Sequence, residues 1–191
     1  RAAGRAGPRK PRTGAYPGVY DERIASSVSG HLMAGVHGSS IVRETAWLRD
    51  ALGQQVLPAG LSVVEDPHRP RISGSRPFDD EGLATRRREV VADGVLTGWT
   101  LDLGTARRLG MQSTASAGRG LSSPPSPSVS NIALTQGTRT RADLIAEMGT
   151  GLLITSLIGS TINPTTGDYS RGASGFWVES GEIVYPVNEV T

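Results

Sequence analysis

The three histidines are the first candidates for chemistry, because imidazole is a common metal ligand and a common general base. His31 and His37 lie on or near a predicted helix, six residues apart, which is a rotation of about 240° around the helix axis and points the rings apart. A zinc helix of the His-Glu-x-x-His type needs both rings on one face and a glutamate after the first, but Leu32 follows His31. His68 lies in a proline-rich segment. We therefore predict that the three histidines are unrelated and that none is a metal ligand.

The other reactive side chains form no recognisable catalytic pattern. The chain has no cysteine, which excludes disulfides, thiolate metal sites and a cysteine nucleophile. Residues 172–175 lack the Gly-x-Ser-x-Gly spacing of a nucleophile elbow, and the glycines between Gly149 and Gly181 do not precede the Lys-Ser/Thr pair of a phosphate loop. The acidic run 79–81 predicts a solvated turn, and Asp168 predicts a local cap or ion pair. Taken alone, these residues predict a domain without a recognisable active site.

Helical periodicity predicts the elements that would position these residues. Asp21 is suited to an N-cap, and it predicts a helix to about Val36 because apolar residues recur behind it at intervals of four: Ile24, Val28 and Leu32. The segment Gly38-Ser39-Ser40 is expected to end this helix. Its remaining positions are mostly small, so neighbouring backbone can approach it closely. A second helix is predicted over Thr140–Met148 with Gly149 as C-cap, and a short one over Thr105–Leu109.

Turn residues are abundant, with 25 glycines and 12 prolines among 191 residues, which favours a β-rich or α+β domain. The strongest hairpin signal is Asp93-Gly94 between two apolar runs, because this pair adopts the positive φ angles of a tight turn. A second hairpin is predicted around Glu179-Ser180-Gly181. Residues 112–131 predict a long loop, and strands are predicted at Leu61–Glu65, Arg88–Ala92, Val95–Trp99, Ile132–Leu134, Gly151–Ile158, Tyr169–Val178 and Glu182–Val187. The hairpins predict mostly antiparallel sheet.

Basic residues are concentrated at the N-terminus, where Arg1, Arg5, Arg9, Lys10 and Arg12 occur without an acid. The other 15 basic residues are outnumbered by 18 acidic ones. We interpret residues 1–14 as a basic linker or tail, dispensable for folding, and 15–191 as one domain. A basic tail also suits nucleic acid, but a solvated linker is the commoner use. The apolar runs are too short to cross a bilayer and no apolar signal region is present, so we expect a cytoplasmic protein without a membrane partner.

The C-terminal third resembles the end of the TldE/PmbA family, whose members are also called modulators of DNA gyrase or microcin-processing proteins. The resemblance rests on Met148–Thr155, Asn163–Glu179 and Gly181-Glu182-Ile183, with Thr13–Pro17, Gly30-His31-Leu32, Trp47–Asp50 and Ser126–Asn131 fitting the same family in the same order. It covers nearly the whole chain and implies the family's C-terminal domain, so we expect a fragment of a longer protein. With it, the predicted fold is α+β, a mostly antiparallel sheet packed around a central helix.

The family implies a heterodimeric peptidase. Its TldD subunit resembles a metallopeptidase with His-Glu-x-x-x-His on a helix and a distant cysteine ligand, and TldE is the companion. The segment 52–56 resembles a matching part of TldD, which places the motif positions at Gly30, His31 and Gly35. Glycine then replaces both metal-binding histidines, and His31 replaces the catalytic glutamate. The resemblance thus implies no catalytic residue, metal or cofactor in this chain, with zinc only in the TldD partner.

Three functions stay open at this point. The favoured one is the non-catalytic subunit of a TldD/TldE-type metallopeptidase complex, acting with a TldD-type subunit on peptides such as microcin precursors. A homodimer stays open where that partner is absent. The alternatives are an independent metallopeptidase with an unrecognised site and a nucleic-acid- or gyrase-associated module. The candidate contacts for a partner or peptide are Tyr169, Arg171 and Trp177, because a glycine-rich strand can accept a second backbone and these residue types dominate interfaces.

Overall fold

A computed structural model describes residues 6–159 and 162–191. The elements follow the order β1 (Gly18–Tyr20), α1 (Glu22–Gly35), α2 (Gly38–Val42), a 3₁₀ turn (Arg49–Ala51), β2 (Val63–Glu65), β3 (Arg88–Ala92), β4 (Val95–Leu96), α3 (Leu103–Arg108), β5 (Ala117–Gly118), β6 (Ser126–Pro127), β7 (Ile132–Leu134), α4 (Arg141–Met148), β8 (Gly151–Ile158), β9 (Gly172–Glu179) and β10 (Glu182–Val190). The sheets are more extensive than the helices and mostly antiparallel, so the predicted α+β class is confirmed. Over the described residues, no helix is long and apolar enough to span a membrane.

The chain divides into two compact units. The first contains the chain up to His31 together with Gly137–Ile162 and Asp168–Thr191. The second contains Leu32–Gln136 and Asn163–Gly167. Each unit has its own four-stranded sheet and its own cluster of buried apolar side chains.

The sheet of the first unit has the order β1–β8–β9–β10. β1 pairs with β8 in parallel, while β8, β9 and β10 pair in antiparallel fashion. Helix α4 begins at Thr140, whose side chain caps the Asp143 amide, and ends at Gly149, whose φ of 67° is the positive angle that glycine adopts readily. This confirms the predicted helix and its C-cap, and Thr140, predicted as the first helical residue, is the N-cap. Its Ile145 is buried with Leu153 of β8 and Val178 of β9.

The sheet of the second unit has the order β4–β3–β2–β7 and is antiparallel throughout. Asp93 and Gly94 have φ angles of 46° and 81°, so the predicted tight turn joins β3 to β4. A buried ion pair crosses this sheet, with the Nε of Arg88 in β3 2.8 Å from a carboxylate oxygen of Glu65 in β2. The apolar core of this unit includes Val63, Val90, Val91 and Leu96 of the sheet, together with Leu32, Met33, Val36 and Leu48.

Helix α1 follows the predicted bounds closely, but its burial is uneven. Leu32, Met33 and Gly35 at its end are buried. Val28, predicted to lie on the buried side, is instead 48% exposed. The segment predicted to end this helix in fact begins the short helix α2 at Gly38. There the Gly38 amide donates to the Thr100 carbonyl, which stabilises a new helical start.

The described part of the basic N-terminal segment contacts the sheet of the first unit. The Arg9 amide donates to the Pro186 carbonyl at 3.0 Å, and the Arg9 guanidinium lies 5.6 Å from the ring centre of Tyr185. The ammonium of Lys10 lies 3.1 Å from the Glu189 carboxylate. Two of the basic side chains, those of Arg9 and Lys10, therefore contact groups of β10.

Candidate functional site

The three positions at which the family resemblance predicts the metal motif lie on α1, and each has a different environment. Gly30 is exposed, and a Cβ built on it would meet nothing within 4 Å. His31 is partly buried, and its Nε2 is buried without a hydrogen-bond partner in the part of the chain that the structure describes. Gly35 is buried. The helix therefore presents one imidazole where a zinc site of this type needs three ligands and a general base.

Gly35 is closed to any side chain by the indole of Trp47. A Cβ at Gly35 would lie 2.6 Å from Nε1 of Trp47 and 3.0 Å from Cδ1 of Leu48. The indole also packs on Gly167, where a Cβ would lie 3.1 Å from the ring and where φ is +81°. The Trp47 amide donates to the Pro164 carbonyl at 2.9 Å, which fixes the residue in place. Trp47 therefore lies between two glycines, and its ring fills the space beside Gly35, the position at which the resemblance predicts the second histidine.

Among residues 6–159 and 162–191, no group of three or more His, Cys, Asp or Glu side chains is placed to hold a metal ion. The buried Asp79 illustrates how the acidic residues are used instead. Its carboxylate accepts from the amides of Glu81, Leu83 and Ala117 at 2.9–3.1 Å. The turn at 79–81, predicted to be solvated, thus contains one buried carboxylate, which joins its own loop to Ala117 by hydrogen bonds.

His31 belongs to a polar and aromatic cluster with two tyrosines and an arginine. Its ring centre lies 5.3 Å from that of Tyr169, and Tyr169 is close enough to Tyr20 to act on the pKa of its hydroxyl. Burial raises the pKa of the Tyr20 hydroxyl, and Tyr169 raises it further, while the charge of Arg171 acts in the opposite direction. Tyr20 is therefore a neutral hydrogen-bond donor or acceptor at physiological pH.

Asp21 fixes the start of α1 next to this cluster. Its amide donates to the Ile154 carbonyl of β8 at 2.9 Å, and its carboxylate accepts from Nε of Arg23 at 2.6 Å and from Arg141 of α4 at 3.2 Å. The hydrogen bond from Arg23 and the charges of both arginines hold the pKa of Asp21 below its usual value. The predicted N-cap thus also ties the helix to two other elements of the first unit.

The three predicted contact residues have different exposures. Tyr169 is 40% exposed, and Arg171 is partly buried with its Nε lacking a hydrogen-bond partner over the described residues. Trp177 is only 6% exposed. Its ring packs edge-on against Tyr16 at 4.8 Å, and its Nε1 donates to Glu179 at 2.7 Å. Tyr169 and Arg171 are therefore the more accessible of the three, and Trp177 is buried against Tyr16 and Glu179.

The glycine-rich start of β9 reflects close approach of two backbones. A Cβ on Gly175 would overlap the Leu153 carbonyl of β8, and the register of the two strands shifts between Ile154 and Ser156. This confirms the prediction that a glycine in this strand marks a bulge or a close contact. The approaching backbone is β8 of the same chain.

Sequence comparison identifies the family. The PmbA/TldA metallopeptidase C-terminal domain family matches residues 13–191. The chain belongs to this family. It is 41% identical to the metalloprotease PmbA of Escherichia coli O157:H7 over 191 residues, which is all of this chain and 40% of that protein. The chain therefore spans about two fifths of the length of this relative.

Solved structures of the PmbA/TldA family have the same fold. A candidate modulator of DNA gyrase from Bacteroides thetaiotaomicron superposes with a TM-score of 0.88 and 29% identity, over 98% of this chain and 40% of that one. TldE from Thermococcus kodakarensis superposes with a TM-score of 0.75 and 25% identity, over 91% and 42% of the two chains.

Sequence reasoning missed Tyr20 as a member of the site. It lies at the end of the short strand β1, whose partner β8 is more than 130 residues later in the chain. Neither its neighbours nor its spacing relate it to Tyr169 and Arg171. The family resemblance at 13–17, immediately before β1, is the one sequence signal in this region.

Proposed function

We propose that this chain is the C-terminal domain of a non-catalytic, TldE-like subunit of a cytoplasmic TldD/TldE-type metallopeptidase complex. The observation that carries the proposal is the packing of the Trp47 indole against Gly35, which the resemblance matches to the second histidine of the metal motif. Gly30 lacks a ligand atom as well, and His31 alone cannot hold and activate a zinc-bound water. Family membership supports a role in peptide proteolysis. In this proposal zinc is held by the TldD-type partner, and the substrates are peptides such as microcin precursors.

The partner or peptide contact in this proposal uses the accessible part of the cluster, Tyr169 and Arg171. Both residues combine a polar group with a large planar or apolar body, which is the type of side chain that dominates interface energies. The terminal guanidinium nitrogens of Arg171 form no hydrogen bond with any described residue, so a partner carbonyl or carboxylate can accept from them.

The test combines metal content with partner-dependent cleavage. The purified protein, loaded with zinc and desalted, is expected to retain no stoichiometric metal and to cleave no peptide alone, whereas cleavage appears with the TldD-type subunit. Arg171→Ala and Tyr169→Ala are expected to fold normally and to weaken association or cleavage. About one zinc per chain, lost on His31→Ala, would refute the proposal. Unaltered association and cleavage in both variants would remove these two residues from the contact.

A further inference from the structure

A cavity in the first unit contains the accessible members of the cluster. It has a volume of about 540 Å³, within the range of roughly 300–1,000 Å³ that is typical of small-ligand sites. Its polar lining includes Lys10, Arg12, Tyr16, Tyr20, Tyr169 and Arg171. Leu152, Ile154 and Leu157 of β8 supply an apolar wall.

The charged side chains that line this cavity are three basic residues and one carboxylate, that of Glu189. Glu189 pairs with Lys10 at 3.1 Å. Arg12 and Arg171 form no ion pair with any described residue, so two guanidinium groups at this cavity lack a side-chain carboxylate partner. Arg171 lines the cavity, and its terminal guanidinium nitrogens form no hydrogen bond with any described residue. An anionic oxygen in the cavity can therefore accept a charge-assisted hydrogen bond from this guanidinium.

The tyrosines and the apolar wall specify the kind of anion. The side chains of Tyr20, Tyr169 and Arg171 all line the cavity, and both Tyr169 and Arg171 act on the pKa of the Tyr20 hydroxyl. An anion beside Arg171 therefore also meets neutral hydroxyl donors. The adjacent leucine and isoleucine side chains favour an apolar group attached to that anion. Inorganic phosphate has no such group, whereas the end of a peptide has both a carboxylate and a last side chain.

We propose that this cavity binds the C-terminal carboxylate of a peptide, with Arg171 as the charged donor and the β8 wall receiving the peptide's last side chain. The inference rests on the proposed role in peptide proteolysis and deepens it by naming the group that is recognised. Tyr169 and Tyr20 act as further donors to the carboxylate.

The test compares two forms of one peptide. N-acetyl-Ala-Ala-Leu is titrated into the purified protein as the free acid and as the C-terminal amide, with binding followed by NMR. The acid is expected to bind at least about ten-fold more tightly, because a charge-assisted hydrogen bond to a buried group is lost in the amide. Arg171→Gln is expected to lower the affinity for the acid to that for the amide. Tyr169→Phe, which removes only the hydroxyl, is expected to lower the affinity for the free-acid peptide by a smaller factor. It provides a second probe if Arg171→Gln fails to fold.

The matched control is Arg87→Gln. Arg87 is an exposed arginine of the other unit and forms no ion pair with any described residue, so the variant removes the same charge elsewhere. It is expected to keep the preference for the free acid. This control separates recognition by the cavity from a general effect of net charge.

Three results would overturn the inference: equal affinity for the two peptide forms, absence of binding by both, or a full preference for the acid in Arg171→Gln. Displacement of the peptide by inorganic phosphate at the peptide's own affinity would also overturn it, because the site would then recognise anions without a peptide. Partner association, measured in the same variants, separates this inference from the proposed function. If Arg171→Gln still weakens association while acid and amide bind alike, only carboxylate recognition fails.

Discussion

The contact between Gly35 and Trp47 allows a quantitative prediction about the helix that carries the metal-motif positions. Gly35→Ala places a methyl group 2.6 Å from the indole nitrogen, and the indole cannot retreat freely because Gly167 packs against it. Overpacking of this kind costs about 1–3 kcal/mol. Replacing a helical glycine by alanine returns at most about 1 kcal/mol, and less at the end of a helix. We expect a net loss of about 1–2 kcal/mol in the free energy of unfolding.

Gly30→Ala is the comparison on the same helix, because a Cβ there meets nothing within 4 Å. It is expected to gain about 0.5–1 kcal/mol, since only the helix propensity changes. Urea unfolding with an unchanged m-value measures both variants. Combining Gly35→Ala with Trp47→Phe completes a double-mutant cycle, in which the smaller ring should recover about 1 kcal/mol or more as coupling energy. If Gly35→Ala is as stable as Gly30→Ala, or if the cycle shows no coupling, the indole does not close this position.

The remaining predictions concern buried and partly buried charges. Arg88→Met should lower the free energy of unfolding by about 3–5 kcal/mol because it leaves the Glu65 carboxylate buried and unpaired, whereas the double variant Arg88→Met with Glu65→Leu should recover most of that loss. Urea unfolding midpoints of the single and double variants measure both changes. A single variant whose stability lies within about 1 kcal/mol of the parent contradicts the prediction. Because the pKa of Asp21 is lowered in the folded protein, its contribution to stability is present above the unfolded value and is lost as pH falls below about 3.8. Asp21→Asn should therefore be less stable than the parent at neutral pH and approach it in acid, while the exposed control Asp50→Asn should show no such convergence in the same titration.

The elements that could be predicted from the sequence are those specified by local chemistry. Asp93-Gly94 identified its hairpin because the turn needs two positive φ angles, and both residues have them. Gly149 marked the end of α4 for an equally local reason, because a glycine adopts the positive φ angle of 67° found there. In each case the interacting groups lie within a few residues of one another.

The features that could not be predicted depend on contacts between distant segments. The parallel pairing of β1 with β8 has no local signature, so neither Tyr20 nor the cavity beside it was found. The contact of Arg9 with β10 is equally distant in sequence. Exposure was also misjudged at Val28, because helical spacing identifies a stripe of residues but not which part of that stripe meets another element.

In the proposed function, Gly30 and Gly35 of α1 stand at two predicted metal-ligand positions, and the two have different physical environments. At Gly30 the space for a side chain still exists, so a histidine there is limited only by helix propensity. At Gly35 the space has been taken by a tryptophan that is held by the 163–167 turn. Restoring the second ligand therefore requires at least two coupled changes, in the helix and in the indole that fills its place. His31 lies between the two glycines in the sequence, and its ring contacts that of Tyr169. It therefore belongs to the cluster that we assign to partner and peptide contact.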